Sequence, residues 1–432
     1  MKNEACLQRR RALLEHIGDG IAIIPTAPER IRNRDSHYPF RADSYFWYLT
    51  GFPEPEAVLV LRGGKEPRSI LFCRKKDEKS EVWNGFRYGP VVAQEIFGFD
   101  EAYAFDDLAE KLPDLLSDCQ TLWHALGYNS DWDARVVTAL NSLRAQVREG
   151  KQAPAQISDP RGILDRMRLR KDAHEIATMR QAAVIASAAH ARIMQSCRPG
   201  QMEYELEAEL FHEFRRQGAD GHSFSPIVAG GSNACVLHYE VNDKHLAEGS
   251  LVLVDAGCEL EGYASDITRT FPVNGKFSGP QRDVYEIVLA AQAAAIDAIR
   301  PGVPFIAYHD AALKVLVQGL CDLKLLSGNV DGLIESEAYK PFYMHRTGHW
   351  LGIDVHDTGD YKVGDEWVEL KAGMALTVEP GLYIRPAPNV PESLLGIGVR
   401  IEDDVFVTEH GAEVYTSTPK TIADIEETMH NK

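Results

Sequence analysis

Apolar residues in the first third of the chain fall into short blocks whose spacing changes from one block to the next. Recurrence at every third or fourth position predicts helices at 4–17, 94–97 and 108–116, while compact apolar runs predict strands at 20–25, 46–49, 57–61 and 69–73. Strands interleaved with helices point to an α/β arrangement with helices packed on a mixed sheet. The aromatic run Tyr45, Phe46, Trp47 and Tyr48 reads as core. From Glu81 to Pro90, glycines and a proline surround Trp83, which predicts a loop. Its large aromatic either stays near the surface, as interface residues do, or folds back on its own domain.

After Pro160, Arg161 and Gly162 the chain enters a basic run, Arg166 to Lys171, that reads as a solvated connector between domains at 1–165 and 166–432. Asp172 followed by Glu175 has the pattern of a capping box and predicts a helix that continues to Cys197. Arg198, Pro199 and Gly200 stop it, and a second helix is predicted at 204–217 with Leu206, Leu210, Phe211 and Phe214 on its apolar face. The same order returns later, as a helix from Gln281, the stop Arg300, Pro301 and Gly302, and an amphipathic segment at 305–320. In both places strands bearing acids follow. The repetition implies two related halves facing each other within the second domain.

The acids sit where a strand needs a reason for them. Leu251 to Val254 and Ile267 to Phe271, joined by a four-residue turn from Glu259 to Gly262, predict a β-hairpin. Pairing Cys258 with Tyr263 puts Asp255 opposite Asp266, with Cβ atoms about 4.5 to 5.5 Å apart. Carboxylates that close need a shared proton or a cation between them, and Asp is otherwise a poor strand residue. In the second half, Glu379 ends the apolar strand that begins at Met374, and Glu402 interrupts the apolar run from Gly398 to Val407. A Glu inside a buried strand calls for a partner or a metal. Between them lie His345, His349 and His356, three histidines in twelve residues.

Composition narrows the setting. The 432 residues are 44% hydrophobic and 25% charged, enough for two domains with cores of their own. A net charge of -18 argues against nucleic acid or an anionic membrane as partner. Seven scattered cysteines with no Cys-x-x-Cys pair predict reduced thiols and a cytoplasmic protein. The N-terminus lacks the apolar core of a signal peptide, and no apolar run reaches membrane-spanning length.

With these residues in view, the chain resembles a known family. The segment from His345 to Asp357 is similar to the signature of the aminopeptidase P and proline dipeptidase family, and Asp255, Asp266, His349, Glu379 and Glu402 match its five metal ligands in order. Tyr38 to Arg41, Phe46 to Phe52 and Glu54 to Val60 look like the aminopeptidase P form of the N-terminal domain. The resemblance spans essentially the whole chain. It implies a creatinase-like N-terminal domain with a mixed sheet, followed by a pita-bread metallopeptidase domain of two pseudo-symmetric halves. It also implies that Asp266 and Glu402 bridge two divalent metals, that Asp255 completes one, and that His349 with Glu379 completes the other. Four carboxylates and one imidazole make a hard, oxygen-rich set that suits manganese, although cobalt, iron or zinc fit the same cage. Such a metal can lower the pKa of bound water from about 15.7 to about 7, which peptide hydrolysis at neutral pH requires. Glu379 is similar to the residue that shuttles the proton to the leaving nitrogen. His238 and His356 match substrate-binding histidines that stabilise the oxyanion, and His345, Tyr383 and Arg400 match residues bordering the pocket for the penultimate proline. Arg400 stands two residues before Glu402, so on a strand both face the same side, where the guanidinium also balances charge.

The resulting expectation is a metal-dependent aminopeptidase that removes the residue preceding a penultimate proline. A proline dipeptidase shares this chemistry and differs in refusing chains longer than two residues. A non-enzymatic binding protein on the same fold would have lost metal ligands, whereas all five are present. The resemblance further implies a homo-oligomer, a dimer or a tetramer, in which the N-terminal domain roofs the site and sets substrate length. Trp83 is the candidate substrate-binding residue that reaches another subunit's site.

Overall fold

The apolar runs of the first third become neighbouring strands of one mixed sheet. In the computed structural model, which describes residues 2–430, six strands lie in the order Glu101–Ala104, Arg68–Cys73, Val58–Arg62, Ile21–Pro25, Thr121–Trp123 and Gln156–Ser158. Ile21–Pro25 pairs antiparallel with Val58–Arg62 and parallel with Thr121–Trp123. Ile21, Ile23, Val58, Val60, Ile70 and Phe72 pack one face of the sheet against the helices Leu108–Leu116 and Ser130–Ala145. The sheet belongs to the first of two units into which the chain divides, Met1–Met167 and Arg168–Lys432.

Three local expectations in this part are corrected. The aromatic run predicted as a strand is the helix Ser44–Thr50, because the Asp43 carboxylate accepts from Tyr45 N and Phe46 N at one end and Gly51 closes the other at φ 60°. A cap at each end outweighs the strand preference of the aromatics. The loop predicted around Trp83 contains the helix Glu78–Asn84, capped by Asp77, and Trp83 stands on it 86% exposed rather than folded back. The basic connector is no solvated linker: Arg161–Leu169 is helical, and Arg168 and Lys171 are buried against Asp357.

The second unit repeats one sequence of elements. Helices Ala173–Ser196 and Glu203–Arg216 precede an antiparallel sheet of Ile227–Gly230, Leu251–Ala256 and Ile267–Pro272. Helices Gly279–Ala298 and Ala307–Asp322 then precede an antiparallel sheet of Ala375–Val378, Asp403–Val407 and Ala412–Val414. The capping box expected at Asp172 and Glu175 is present. A single core joins the halves, running from Leu206 and Val254 through Val288 and Leu316 to Val378 and Val405.

The first hairpin differs from its expected register. Its turn has two central residues, Glu261 and Gly262, at φ 49° and 83°, the signs a type I′ turn demands. Leu260 therefore pairs with Tyr263, and Asp255 falls opposite Thr268 instead of Asp266. The slip is two residues, so both acids keep the same face. Among the described residues, no helix is long and apolar enough to cross a membrane.

Candidate metal centre

Backbone pairing brings the acids of the two halves together. Glu402 N donates to Thr268 O at 3.0 Å and Thr270 Oγ1 donates to Arg400 O at 3.0 Å, which binds the end of one acid-bearing sheet to the other. Glu402 sits at the break between Gly398–Arg400 and Asp403–Val407. His349 and Glu379 are set side by side in the same way: Thr377 N donates to His349 O at 3.0 Å and Glu379 N to Thr347 O at 2.7 Å. Gly348 permits that approach, since a Cβ there would lie 1.9 Å from Thr377 O. Asp255, Asp266, His349, Glu379 and Glu402 thus line one cleft of about 430 Å³. Ligand atoms of Asp266, His349 and Glu402 all lie within 4.8 Å of one another.

The arrangement fits a cation. Burial, and then the neighbouring carboxylates, push the carboxyl groups of Asp266 and Glu402 well above the usual range, and burial also raises Glu379. Acids gathered this way repel one another unless positive charge sits among them. Asp255 Oδ1 and Asp266 Oδ1 are buried without a hydrogen-bond partner, as expected of atoms shaped to ligate. His349 Nδ1 lies 2.9 Å from Trp350 O. A proton on Nδ1 leaves the lone pair on Nε2, which points at Asp266 Oδ2 and Glu379 Oε1 from 3.5 and 3.7 Å.

Around the cage the other sequence-selected residues divide into two groups. His238, His345, His356 and Arg400 line the same cleft, and the His356 ring lies 4.3 Å from that of His349. Arg400 is a buried hub: Nη2 donates to Asp255 Oδ2 at 2.5 Å, Nη1 to Tyr383 OH at 3.0 Å and Nε to Thr268 Oγ1 at 3.2 Å. Tyr383 OH also meets His345 Nε2 at 2.8 Å. Burial and the Arg400 charge push the His345 imidazole down to about 3, and burial lowers His356, so both are neutral near pH 7. Trp83 belongs to the first unit and makes no part of this cage.

Thr268 is the polar contact that sequence reading passed over. Its hydroxyl donates to Glu402 Oε2 at 2.6 Å while receiving Arg400 Nε, locking two cleft residues with one side chain. Two-residue alternation from Asp266 would have found it, since Asp266, Thr268 and Thr270 share a face.

The profile of metallopeptidase family M24 matches residues 177–409, and that of the aminopeptidase P N-terminal domain matches residues 6–123. The chain belongs to metallopeptidase family M24. The Xaa-Pro aminopeptidase of Escherichia coli (strain K12) is 47% identical to it over 95% of this chain and 94% of that protein. The solved structure of Pseudomonas aeruginosa aminopeptidase PepP is similar with a TM-score of 0.98 at 49% identity, covering 99% of this chain and 98% of that one. Zinc-substituted E. coli aminopeptidase P in complex with product is similar with a TM-score of 0.97 at 45% identity, over 99% and 98% of the two chains. This M24 chain therefore carries the pita-bread fold and is a metallo-aminopeptidase that uses divalent metal.

Proposed function

We propose that this M24 enzyme is an Xaa-Pro aminopeptidase, cleaving the first peptide bond of chains with proline second, with two divalent cations, manganese foremost, held by Asp255, Asp266, His349, Glu379 and Glu402. One observation carries the reading: all five ligand side chains line a single cleft, with two buried carboxylate oxygens lacking hydrogen bonds. Asp266 and Glu402 would serve both cations, Asp255 would serve one, and His349 with Glu379 would serve the other. When bound there, the cations would supply an activated water and polarise the scissile carbonyl.

The remaining chemistry is assigned to the chain's own groups. Glu379, held above the usual carboxylate range by burial, takes a proton from the attacking water on a carboxylate oxygen and passes it to the leaving proline nitrogen. His238 and His356 stand in the same cleft, and the neutral His356 imidazole keeps an N–H to donate to the developing oxyanion. His345, Tyr383 and Arg400, linked through the Tyr383 hydroxyl, border the place of the proline, whose ring fixes φ and whose nitrogen donates nothing.

The division into an N-terminal domain at 1–165 and a catalytic domain at 166–432 follows from this reading. In it the first domain sets substrate length, the protein is a cytoplasmic homodimer or homotetramer, and the exposed Trp83 reaches the site of another subunit. Specificity constants with manganese present test the substrate class. Arg-Pro-Pro should be cleaved at its first bond far faster than the dipeptide Gly-Pro, and Arg-Ala-Pro should be a poor substrate. Preference for Gly-Pro would reassign the enzyme to the dipeptidases.

A further inference from the structure

His238 stands on a long irregular segment, and the structure shows what holds that segment still. Between Ile227–Gly230 and Leu251–Ala256 the chain makes a 3-10 turn, Gly231–Cys235, and then runs to Ser250 without a strand or helix. Leu237, His238 and Glu240 from this stretch line the cleft. Such a stretch orders its side chains only if something fixes it from behind.

Glu203, in the first turn of Glu203–Arg216, does so with a carboxylate that is wholly buried. Its Oε1 accepts from Gly230 N at 2.8 Å and Asn233 Nδ2 at 3.0 Å; its Oε2 accepts from Tyr239 OH at 2.8 Å and Lys244 N at 2.9 Å. The Glu203 backbone adds a bond from its own N to Lys244 O at 2.9 Å. Four donors on two oxygens meet the need of a buried charge. They also span the loop from Gly230 to Lys244, with Tyr239, the immediate neighbour of His238, held between them.

We propose that Glu203 is a positioning residue for His238, clasping the loop so that the imidazole stands at the cleft wall. Its effect on turnover rests on the reading of His238 as a substrate-binding group. Glu203→Gln keeps the volume but turns an amide nitrogen toward two donors, so the clasp opens on one side.

The test is a double-mutant cycle in the manganese-loaded enzyme with Arg-Pro-Pro, read together with bound metal per subunit and, in the diamagnetic zinc-loaded protein, the NMR signal of the His238 ring. E203Q should lower kcat/KM about tenfold or more, leave the metal in place and move the ring signal; in an H238A background it should change kcat/KM by less than about twofold. Tyr239→Phe removes one donor only, and should act in the same direction more weakly, which decides the matter if E203Q does not fold. Losses that add in full to those of H238A, or unchanged kcat/KM in the folded variants, would overturn the proposal. Should the wild type cleave no Xaa-Pro peptide, the activity reading fails by itself, and an unmoved His238 ring signal in the variant then overturns the clasp.

Discussion

His190 is the plainest case of a single side chain whose surroundings dictate its charge. It lies wholly buried beneath the first hairpin, with Nε2 3.0 Å from Ala256 O, and burial pushes its imidazole down to about 4. The unfolded value near 6.5 is higher, so the unfolded chain takes up the proton first. The neutral ring's contribution is complete above about pH 6.5 and is lost as pH falls toward 4, roughly 3 kcal/mol in all. Urea unfolding of wild type and His190→Gln at pH 7 and pH 4.5 checks this: the wild type should lose about 2 kcal/mol more than the variant between the two, and equal losses would refute it. Residue by residue, the cage was legible because an acid in an apolar strand is an anomaly, as Asp255, Glu379 and Glu402 were. Thr268 and Glu203 were not, because a Thr in a strand and a Glu in a helix's first turn are ordinary by local preference. Only the tertiary fold gives them partners.

At the scale of elements, the segment from Trp350 to Asp357 depends on a clamp at the start of the second unit. The Asp357 carboxylate takes Arg168 Nη2 at 2.5 Å and Lys171 Nζ at 3.0 Å, all three side chains being buried, and these charges hold its carboxyl below the usual range despite burial. Removing that carboxylate strands buried cations, which costs about 3 to 5 kcal/mol. Asp357→Asn should therefore unfold at markedly lower urea; unchanged stability would contradict the clamp. The basic run read as solvated because cations usually are, and its buried partner lies 186 residues away for Lys171. Long helices and apolar strands, such as Ala173–Ser196 and Ile21–Pro25, matched their periodicity. Ser44–Thr50 did not, since its two caps overrule its aromatics, and the hairpin register turned on Glu261 accepting a positive φ that favours Gly, Asn or Asp.

For the whole molecule, the doubled order of helices and acid-bearing sheets is what makes one centre from distant residues. Neither half alone holds the set: Asp255 and Asp266 come from the first, and His349, Glu379 and Glu402 from the second. Repulsion among these buried carboxylates is a cost that bound cations convert into affinity. A metal titration tests whether both halves are needed to hold the cations. Metal-free protein is titrated with manganese while release of arginine from Arg-Pro-Pro is followed. The expected result is no turnover without metal and a plateau reached at about two equivalents per chain; full turnover in the metal-free protein would rule out a metal-dependent reaction.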